Sequence, residues 1–316
     1  MIRKLDRDHV QAEIASLDAM LARLPANDYL GRKSLGSRRR QLQQQLETIG
    51  AAPENRAQVA LYFGGDPVIG SFGVQAEFGT HSLSNFQDLI TKVWGASAQE
   101  LSPMGPVPDK ASAQLHITNL VHGSFGFLLE ELDEQGEPLF ETPLRRAADK
   151  AVAYIASFAA ENEAQFTAAI EDIDQRVFKS LRAFFGVIQR GKATLRIVEG
   201  EIDAQLDRTA IERAWVRVEA ADVDDDNVPM TGRLLGMIPI GRRFEFEPDG
   251  GAAIIKGKVG EQFSQHYLER MTNEQFAGRR WNALFRKVTI TRSGRPPVDQ
   301  FTLLQLDLIP PADAKN

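Results

Sequence analysis

The stretch RRFEFEPDGGAAIIKGKV, residues 242–259, determines how the last third of this sequence is expected to fold. Apolar and charged residues alternate before and after the turn Asp249-Gly250-Gly251, a pattern typical of two short strands joined as a hairpin. Further strand-like segments lie at 230–240, 284–291 and 300–309, with a predicted helix at 261–271. Five short strands with tight turns predict a small β-barrel over 227–310, of SH3-like or OB-like type.

Two helices with narrow apolar stripes are predicted at the other end of the chain, over 4–24 and 34–49. Their apolar residues recur three and four positions apart and therefore fall on one side of each helix. A short turn joins them as a helical hairpin, residues 1–50. Because the stripes are narrow, we expect the hairpin to pack on the rest of the chain or, preferentially, on a second copy as a coiled-coil-like homo-oligomer. The residues predicted to self-associate are Val10, Ile14, Leu17, Leu21, Leu24, Leu35, Leu42, Leu46 and Ile49.

The segment between these modules, 56–222, predicts a central α+β domain with long helices, so the whole chain is of the α+β class. Thr142 followed by Pro143 is typical of a helix start, with an N-cap and then proline at the first helical position. Ser84 with Gln87 three residues on predicts another helix start as a capping box. One long helix is predicted over 161–190, and the acidic residues 222–226 predict a loop before the barrel.

Charge is distributed unevenly along the chain. The 37 lysines and arginines and 43 aspartates and glutamates give a net charge of −6, which argues against nucleic-acid binding by the molecule as a whole. Residues 1–50 carry +3, residues 51–226 carry −13 and residues 227–316 carry +4. A nucleic-acid role therefore stays open for the two basic ends.

A group of basic residues beside a tryptophan lies in the predicted barrel. On a small barrel, such side chains follow a phosphate backbone while the aromatic ring stacks on bases. Peptide binding, or packing only within the same chain, are the alternatives for this surface. The residues predicted to contact nucleic acid are Arg279, Arg280, Trp281, Arg286, Lys287, Arg292 and Arg295.

One short motif occurs twice, as Gly70-Ser71-Phe72-Gly73 and as Gly123-Ser124-Phe125-Gly126. Its glycines permit a tight turn or a close backbone approach. The favoured interpretation is structural, with both phenylalanines in the core. The functional alternative is a small-ligand pocket, and its predicted residues are Ser71, Ser124, His81 and His122.

The sequence contains no recognisable catalytic motif. It has no cysteines, which excludes disulfides, thiolate nucleophiles and cysteine-based metal sites. Asp222, Asp224 and Asp226 match three positions of a calcium-binding loop, but Arg233 stands where that loop needs a bidentate glutamate. We therefore predict no catalytic residues, no metal and no cofactor.

These observations favour a cytoplasmic, non-catalytic interaction protein, an adaptor or regulatory subunit of a bacterial-type multi-protein system. We expect it to bind protein partners, including itself, and not to bind membranes, because no segment is apolar over the length of a bilayer span. The first alternative is a nucleic-acid-binding or sensing protein that uses the basic barrel. The second is an enzyme or small-ligand sensor that uses the repeated motif.

Overall fold

A computed structural model shows a mixed α+β protein with an N-terminal helical hairpin, as the sequence predicts. It divides into two compact units, Met1–Val218 and Glu219–Asn316, so the hairpin and nearly all of the predicted central domain share the first unit. The described residues are 2–25, 27–51, 55–98, 105–107, 109–121, 125–133, 136, 138–251, 253–260, 262–273, 278–292 and 295–309.

The hairpin consists of α1 (Arg3–Arg23) and α2 (Tyr29–Ala51). Its predicted stripe residues contact one another between the two helices: Val10, Leu17 and Leu42 are buried, and Ile14, Leu35, Leu46 and Ile49 pack against them. α2 begins five residues earlier than predicted because the Asp28 carboxylate accepts a hydrogen bond from the Gly31 amide at 2.9 Å and so caps the helix. The apolar stripes are therefore covered within the hairpin, and self-association stays a prediction.

The rest of the first unit is an antiparallel sheet with helices packed on it. Five strands are hydrogen-bonded in the order β4-β5-β1-β6-β7, and β2 and β3 form a separate small hairpin. The strands are β1 (Gln58–Gly65), β2 (Val68–Ile69), β3 (Gly73–Val74), β4 (His116–Val121), β5 (Phe125–Glu130), β6 (Ala193–Glu199) and β7 (Ile202–Leu206). The helices that follow α2 are α3 (Ala76–Ala98), α4 (Pro143–Ala159), α5 (Glu163–Asp172), α6 (Gln175–Arg190) and α7 (Arg208–Ala220).

Three of these helices, α3, α4 and α6, pack against one another, and α4 and α6 also contact the sheet at β6. Phenylalanines fill the space between them, including Phe86 against Phe184, whose ring centroids are 5.9 Å apart. The hydroxyl of Thr142 accepts from the Arg145 amide at 3.0 Å, which confirms the predicted start of α4.

Two predicted helix boundaries in the first unit are wrong. Ser84 does not begin a helix, because Phe78, Ser82 and Phe86 are buried at helical spacing and α3 already begins at Ala76. The helix predicted over 161–190 is two helices. The Asp174 side chain accepts from the Arg176 amide at 2.8 Å and thereby starts α6 as a separate helix.

The N-terminal end of the hairpin is attached to the sheet. Ile2 is fully buried with Tyr62, Leu128 and Val198 of β1, β5 and β6. Close by, Arg7 forms an ion pair with Glu201 at 2.5 Å in the turn between β6 and β7. Of the two expected arrangements, packing on the rest of the chain is therefore observed.

The second unit contains β8 (Ala221–Ile238), β9 (Arg243–Pro248), β10 (Ile255–Val259), α8 (Gln265–Asn273), β11 (Arg280–Arg292) and β12 (Arg295–Leu308). Its strands close into a ring in the order β10-β12-β11-β8-β9. β10 and β12 are parallel, and all other neighbours are antiparallel. Leu268 and Met271 of α8 join Phe244, Phe246 and Phe285 in the core of the ring.

The acidic residues 222–226, predicted as a loop, form the beginning of strand β8. Val223 and Asp225 are buried, while Asp222, Asp224 and Asp226 are exposed on the alternate side. Asp225 is held by two hydrogen bonds from Nε of Arg286, at 2.9 and 3.0 Å. The alternation of buried and exposed side chains and the ion pair between Asp225 and Arg286 explain why a charge-rich segment forms a strand.

Candidate functional site

A row of four side chains crosses the outer surface of the ring at one level. Ile238 on β8 lies opposite Arg243 on β9. Arg243 in turn lies opposite Lys258 on β10, and Lys258 lies beside Thr302 on β12. Phe244 points into the core, so its neighbour Arg243 points outward. We call these four residues the outer row.

The two cations in the middle of the outer row face each other directly. Among the described residues, no carboxylate lies within ion-pair distance of Arg243 or Lys258. The next cation along β10 is different, since Lys256 contacts Glu245 at 2.7 Å. Like charges directly opposite in an antiparallel pair destabilise a sheet, and a bound anion would remove that repulsion.

The loop between β8 and β9 borders the outer row and is fixed at its base. Arg242 adopts a left-handed backbone conformation with φ of 44°, and its guanidinium donates to the Phe263 carbonyl at 3.0 Å. The apolar side chains beside it are turned to solvent, with Ile240 at 95% and Ile238 at 59% exposure. A ligand on the outer row would therefore meet two cations and an apolar loop.

Trp281, predicted to stack on a base, cannot do so. Its side chain is only 3% exposed, because it lies in the core of the ring with Phe285 and Leu306. Residues on a strand alternate between its two sides, so the tryptophan next to the exposed Arg280 points inward. This part of the predicted nucleic-acid site is wrong.

The predicted cations do not form one patch either. They are spread along β11, whose 13 residues span roughly 40 Å. Arg280 is paired with Asp249, and Arg286 with Asp225. Arg279 precedes β11 and Arg292 ends it, whereas the side chain of Arg295 lies outside the described residues.

Lys287 is also engaged on its own strand pair. Its ammonium lies 3.0 Å from the Asp299 carboxylate and 6.0 Å from the centre of the Phe301 ring. Burial tends to raise the pKa of Asp299, but hydrogen bonds from Lys287 and Thr289 outweigh it and leave that pKa below its usual value. The ion pair is therefore intact at neutral pH, and Lys287 is not available as an isolated cation.

The repeated motif adopts different structures at its two positions. In the first copy, Gly70 has φ of 54° and turns β2 into β3, while Phe72 is 90% exposed rather than in the core. In the second copy, a Cβ on Gly126 would lie 2.9 Å from the Leu61 carbonyl, so that glycine permits close packing within the sheet. The structural prediction is therefore wrong for Phe72.

The predicted pocket around the motif is only partly described. Ser71 lies in the exposed turn between β2 and β3, and His81 is exposed on α3. His122 and Ser124 lie outside the described residues. In the part of the chain that is described, no group of three or more histidines and acids is placed to hold a metal ion.

An open groove of about 740 Å³ lies along α7. Two arginines of α7 donate to the last carbonyls of α4: Arg217 to the Phe158 carbonyl at 2.9 Å, and Arg213 to the Ala159 carbonyl at 2.5 Å. Arg217 also donates to Glu163 at 2.9 Å. These arginines stabilise a helix end, where cations are favourable, and the groove is not the best-supported binding site.

No family model matches this chain, and comparison with curated proteins and with solved structures returned no match either. None of the helices in the described ranges is both long and apolar enough to cross a lipid bilayer. Function is therefore inferred from the geometry within each of the two units. The residues that sequence reasoning missed, Arg243 and Lys258, lie within the alternating stretch 242–259, but only the strand register brings them opposite each other.

Proposed function

We propose that this chain is a non-catalytic nucleic-acid-binding protein whose C-terminal ring is an OB-like barrel. Support comes from the connectivity: the first strand pairs with the second and fourth, and the third pairs with the second and, in parallel, with the fifth. α8 lies between the third and fourth strands. This order is typical of OB-like barrels, which bind oligonucleotides on the face of strands two and three and on the adjoining loop.

The proposal rests on the positions of Arg243 and Lys258. They lie on the second and third strands, next to the first loop, and lack a carboxylate partner among the described residues. Cations in that position attract a phosphate backbone rather than a neutral ligand. The other outward side chains of β9 and β10 are Glu245, Glu247 and Lys256. Because phosphate contacts carry no sequence information, we expect binding to single strands without sequence preference.

Replacing both Arg243 and Lys258 by glutamine is expected to weaken binding of a labelled single-stranded oligonucleotide by about tenfold at low salt. Two fewer phosphate contacts also lower the slope of log affinity against log salt by roughly 1.4. Fluorescence anisotropy on the full chain with an oligothymidine of about 20 nucleotides measures both effects.

The matched control for this experiment is Arg233→Gln with Lys256→Gln. It removes the same charge from neighbouring strands, but its cations are already paired with Glu247 and Glu245. We expect its affinity to fall less than about threefold. Equal losses in the two double variants, or no binding by the unmodified chain, would overturn the proposal.

A second candidate function, a self-associating interaction protein, is supported by the turn of the helical hairpin. Met20, Tyr29 and Leu30 are exposed there by 52%, 79% and 80%. Exposed apolar side chains grouped in this way are typical of a contact surface. The surface lies at the end of the hairpin rather than along the predicted stripe, which is already covered.

If the hairpin end binds a second copy, Tyr29→Ser with Leu30→Ser is expected to convert a dimer into a monomer. Loss of two exposed apolar side chains from a contact costs about 2–4 kcal/mol, or at least tenfold in dimer affinity. Size-exclusion chromatography with light scattering measures the change. The control is Leu139→Ser with Phe140→Ser, a second exposed pair at 88% and 82%; a monomeric unmodified chain contradicts the hypothesis.

A further inference from the structure

The exposed side of α2 carries a straight row of polar and cationic side chains. Lys33, Ser37, Arg40 and Gln44 are all exposed, and their spacing of four, three and four residues places them on one side of the helix. Leu42, on the opposite side, is buried against α1. We call these four residues the α2 row.

This helix is basic over most of its length. From Tyr29 to Leu46 the sequence has five lysines and arginines and no aspartate or glutamate. Two of the cations are neutralised by α1, since Arg38 contacts Glu13 at 2.9 Å and Arg39 is paired with Asp18. Those two arginines flank the buried side of α2 and stabilise the hairpin.

The cations of the α2 row are placed differently. Lys33 has no carboxylate partner among the described residues, and Arg40 contacts only its own helix, at the Gly36 carbonyl (3.3 Å) and the Ser37 hydroxyl (3.4 Å). Arg32, one residue from Lys33, donates to the Leu24 carbonyl at 2.8 Å, and among the described residues no carboxylate lies within ion-pair distance of it. Two of the four residues of the α2 row are therefore cations without an ion-pair partner among the described residues.

We propose that the α2 row binds the phosphate backbone of double-stranded nucleic acid. From Lys33 to Gln44 the row spans roughly 16 Å of straight helix. A duplex presents one phosphate charge for about every 1.7 Å of its axis, so several phosphates lie along that length. Serine and glutamine side chains donate to phosphate oxygens beside lysine and arginine, which fixes a helix on a duplex without reading its sequence.

Two other partners fit this surface less well. A helix that lies on a membrane buries an apolar side in the lipid, whereas the apolar side of α2 is already packed on α1. A protein interface has an apolar centre with a polar rim, whereas the α2 row between Lys33 and Gln44 is polar throughout. Charge complementarity with a regular anionic backbone therefore favours the duplex.

The inference goes beyond the proposed function, because it concerns another unit and another form of nucleic acid. It does not require the barrel to bind.

The test is binding of a fluorescein-labelled DNA duplex of about 20 base pairs to the full chain, measured by anisotropy from about 50 to 200 mM salt. Lys33→Glu with Arg40→Glu is expected to weaken binding at least about tenfold and to lower the salt slope by roughly 1.8. The control, Lys110→Glu with Lys179→Glu, makes the same change of net charge at two exposed lysines elsewhere in the first unit. We expect its affinity to change by less than about threefold.

The substituted side chains are exposed, so the thermal midpoint of the α2 variant should match that of the unmodified chain. Duplex binding that is absent in the unmodified chain, unchanged in the α2 variant or equally weakened in the control overturns the inference. So does a variant that loses binding to anionic phospholipid vesicles but keeps binding to the duplex. Arg243→Gln with Lys258→Gln should keep duplex binding while weakening single-strand binding about tenfold, so failure at one site remains distinguishable from failure at the other.

Discussion

Gly257→Ala is expected to lower the free energy of unfolding of the second unit by at least about 2 kcal/mol. A Cβ at this position would overlap the carbonyl oxygen of Phe301 on β12 and lie 2.9 Å from Cε1 of Phe244. The Phe301 carbonyl oxygen is a backbone atom, which cannot rotate away as a side-chain atom can. The pair of Gly257 with Phe301 is also one of the three described register pairs that join β10 to β12, so the substitution acts where the ring closes.

Trp281 provides a reporter for this transition. It is buried in the core of the ring, and the other two tryptophans of the chain, Trp94 and Trp215, precede the second unit. In a background with both replaced by phenylalanine, urea unfolding followed by tryptophan fluorescence reports the ring alone. The control is Gly236→Ala on β8, where an added Cβ meets no atom within 4 Å; a control as unstable as Gly257→Ala would contradict this explanation.

The same substitution connects stability to the proposed binding face. Lys258 follows Gly257 and keeps its place in the outer row through its register with Thr302. Separation of β10 from β12 would therefore displace one of the two cations on which the single-strand proposal depends. Gly257→Ala should weaken single-strand binding while leaving duplex binding at α2 unchanged.

Regular periodicity made much of the fold predictable. The apolar repeat of α1 and α2 predicted the hairpin, Thr142-Pro143 predicted the start of α4, and alternation within 242–259 predicted two strands of the ring. In each case the residues that specify the element are neighbours in sequence. Local signals of this kind need no knowledge of the partner element.

The features that the sequence did not predict correctly depend on contacts between residues far apart in the chain. Residues 222–226 are acidic and have low strand propensity, but Asp225 is stabilised in β8 by Arg286, which is 61 residues away. The basic neighbours of Trp281 predict a position on the surface, but strand alternation places its side chain in the core. Arg243 and Lys258 are 15 residues apart, and only the register of β9 with β10 makes them a pair.

Glu199→Gln is expected to destabilise the first unit by about 3–5 kcal/mol, because it removes one partner of a buried ion pair. Glu199 is fully buried at the end of β6, and its carboxylate lies 2.5 Å from Nη1 of Arg145 on α4, whose side chain is 9% exposed. Asp149, at 3.5 Å from Nε of Arg145, is too exposed to replace it. The glutamine side chain has nearly the volume of glutamate, but it carries no charge to offset the Arg145 guanidinium, which is buried where it cannot reach water.

The turn after β6 leaves room for the Arg145–Glu199 ion pair. Gly200 has φ of 52°, and a Cβ there would overlap Nη2 of Arg145. A glycine after Glu199 therefore permits the β6–β7 turn and leaves room for the guanidinium. This arrangement predicts that Arg145 cannot move aside when Glu199 is replaced, so a large destabilisation from a buried charge without its buried counter-charge should be measured.

Differential scanning calorimetry of the full chain tests this, with an expected fall of roughly 10 °C in the midpoint of the first unit. The matched control is Glu201→Gln, two residues further along the chain, where the ion pair with Arg7 is exposed and its loss costs below about 1 kcal/mol. Arg145→Leu with Glu199→Leu removes both charges and should be less destabilising than Glu199→Gln, because no buried charge is left alone. If the double variant is instead the less stable of the two, the ion pair stabilises the fold through its attraction, and burial of a lone charge does not explain the loss in Glu199→Gln.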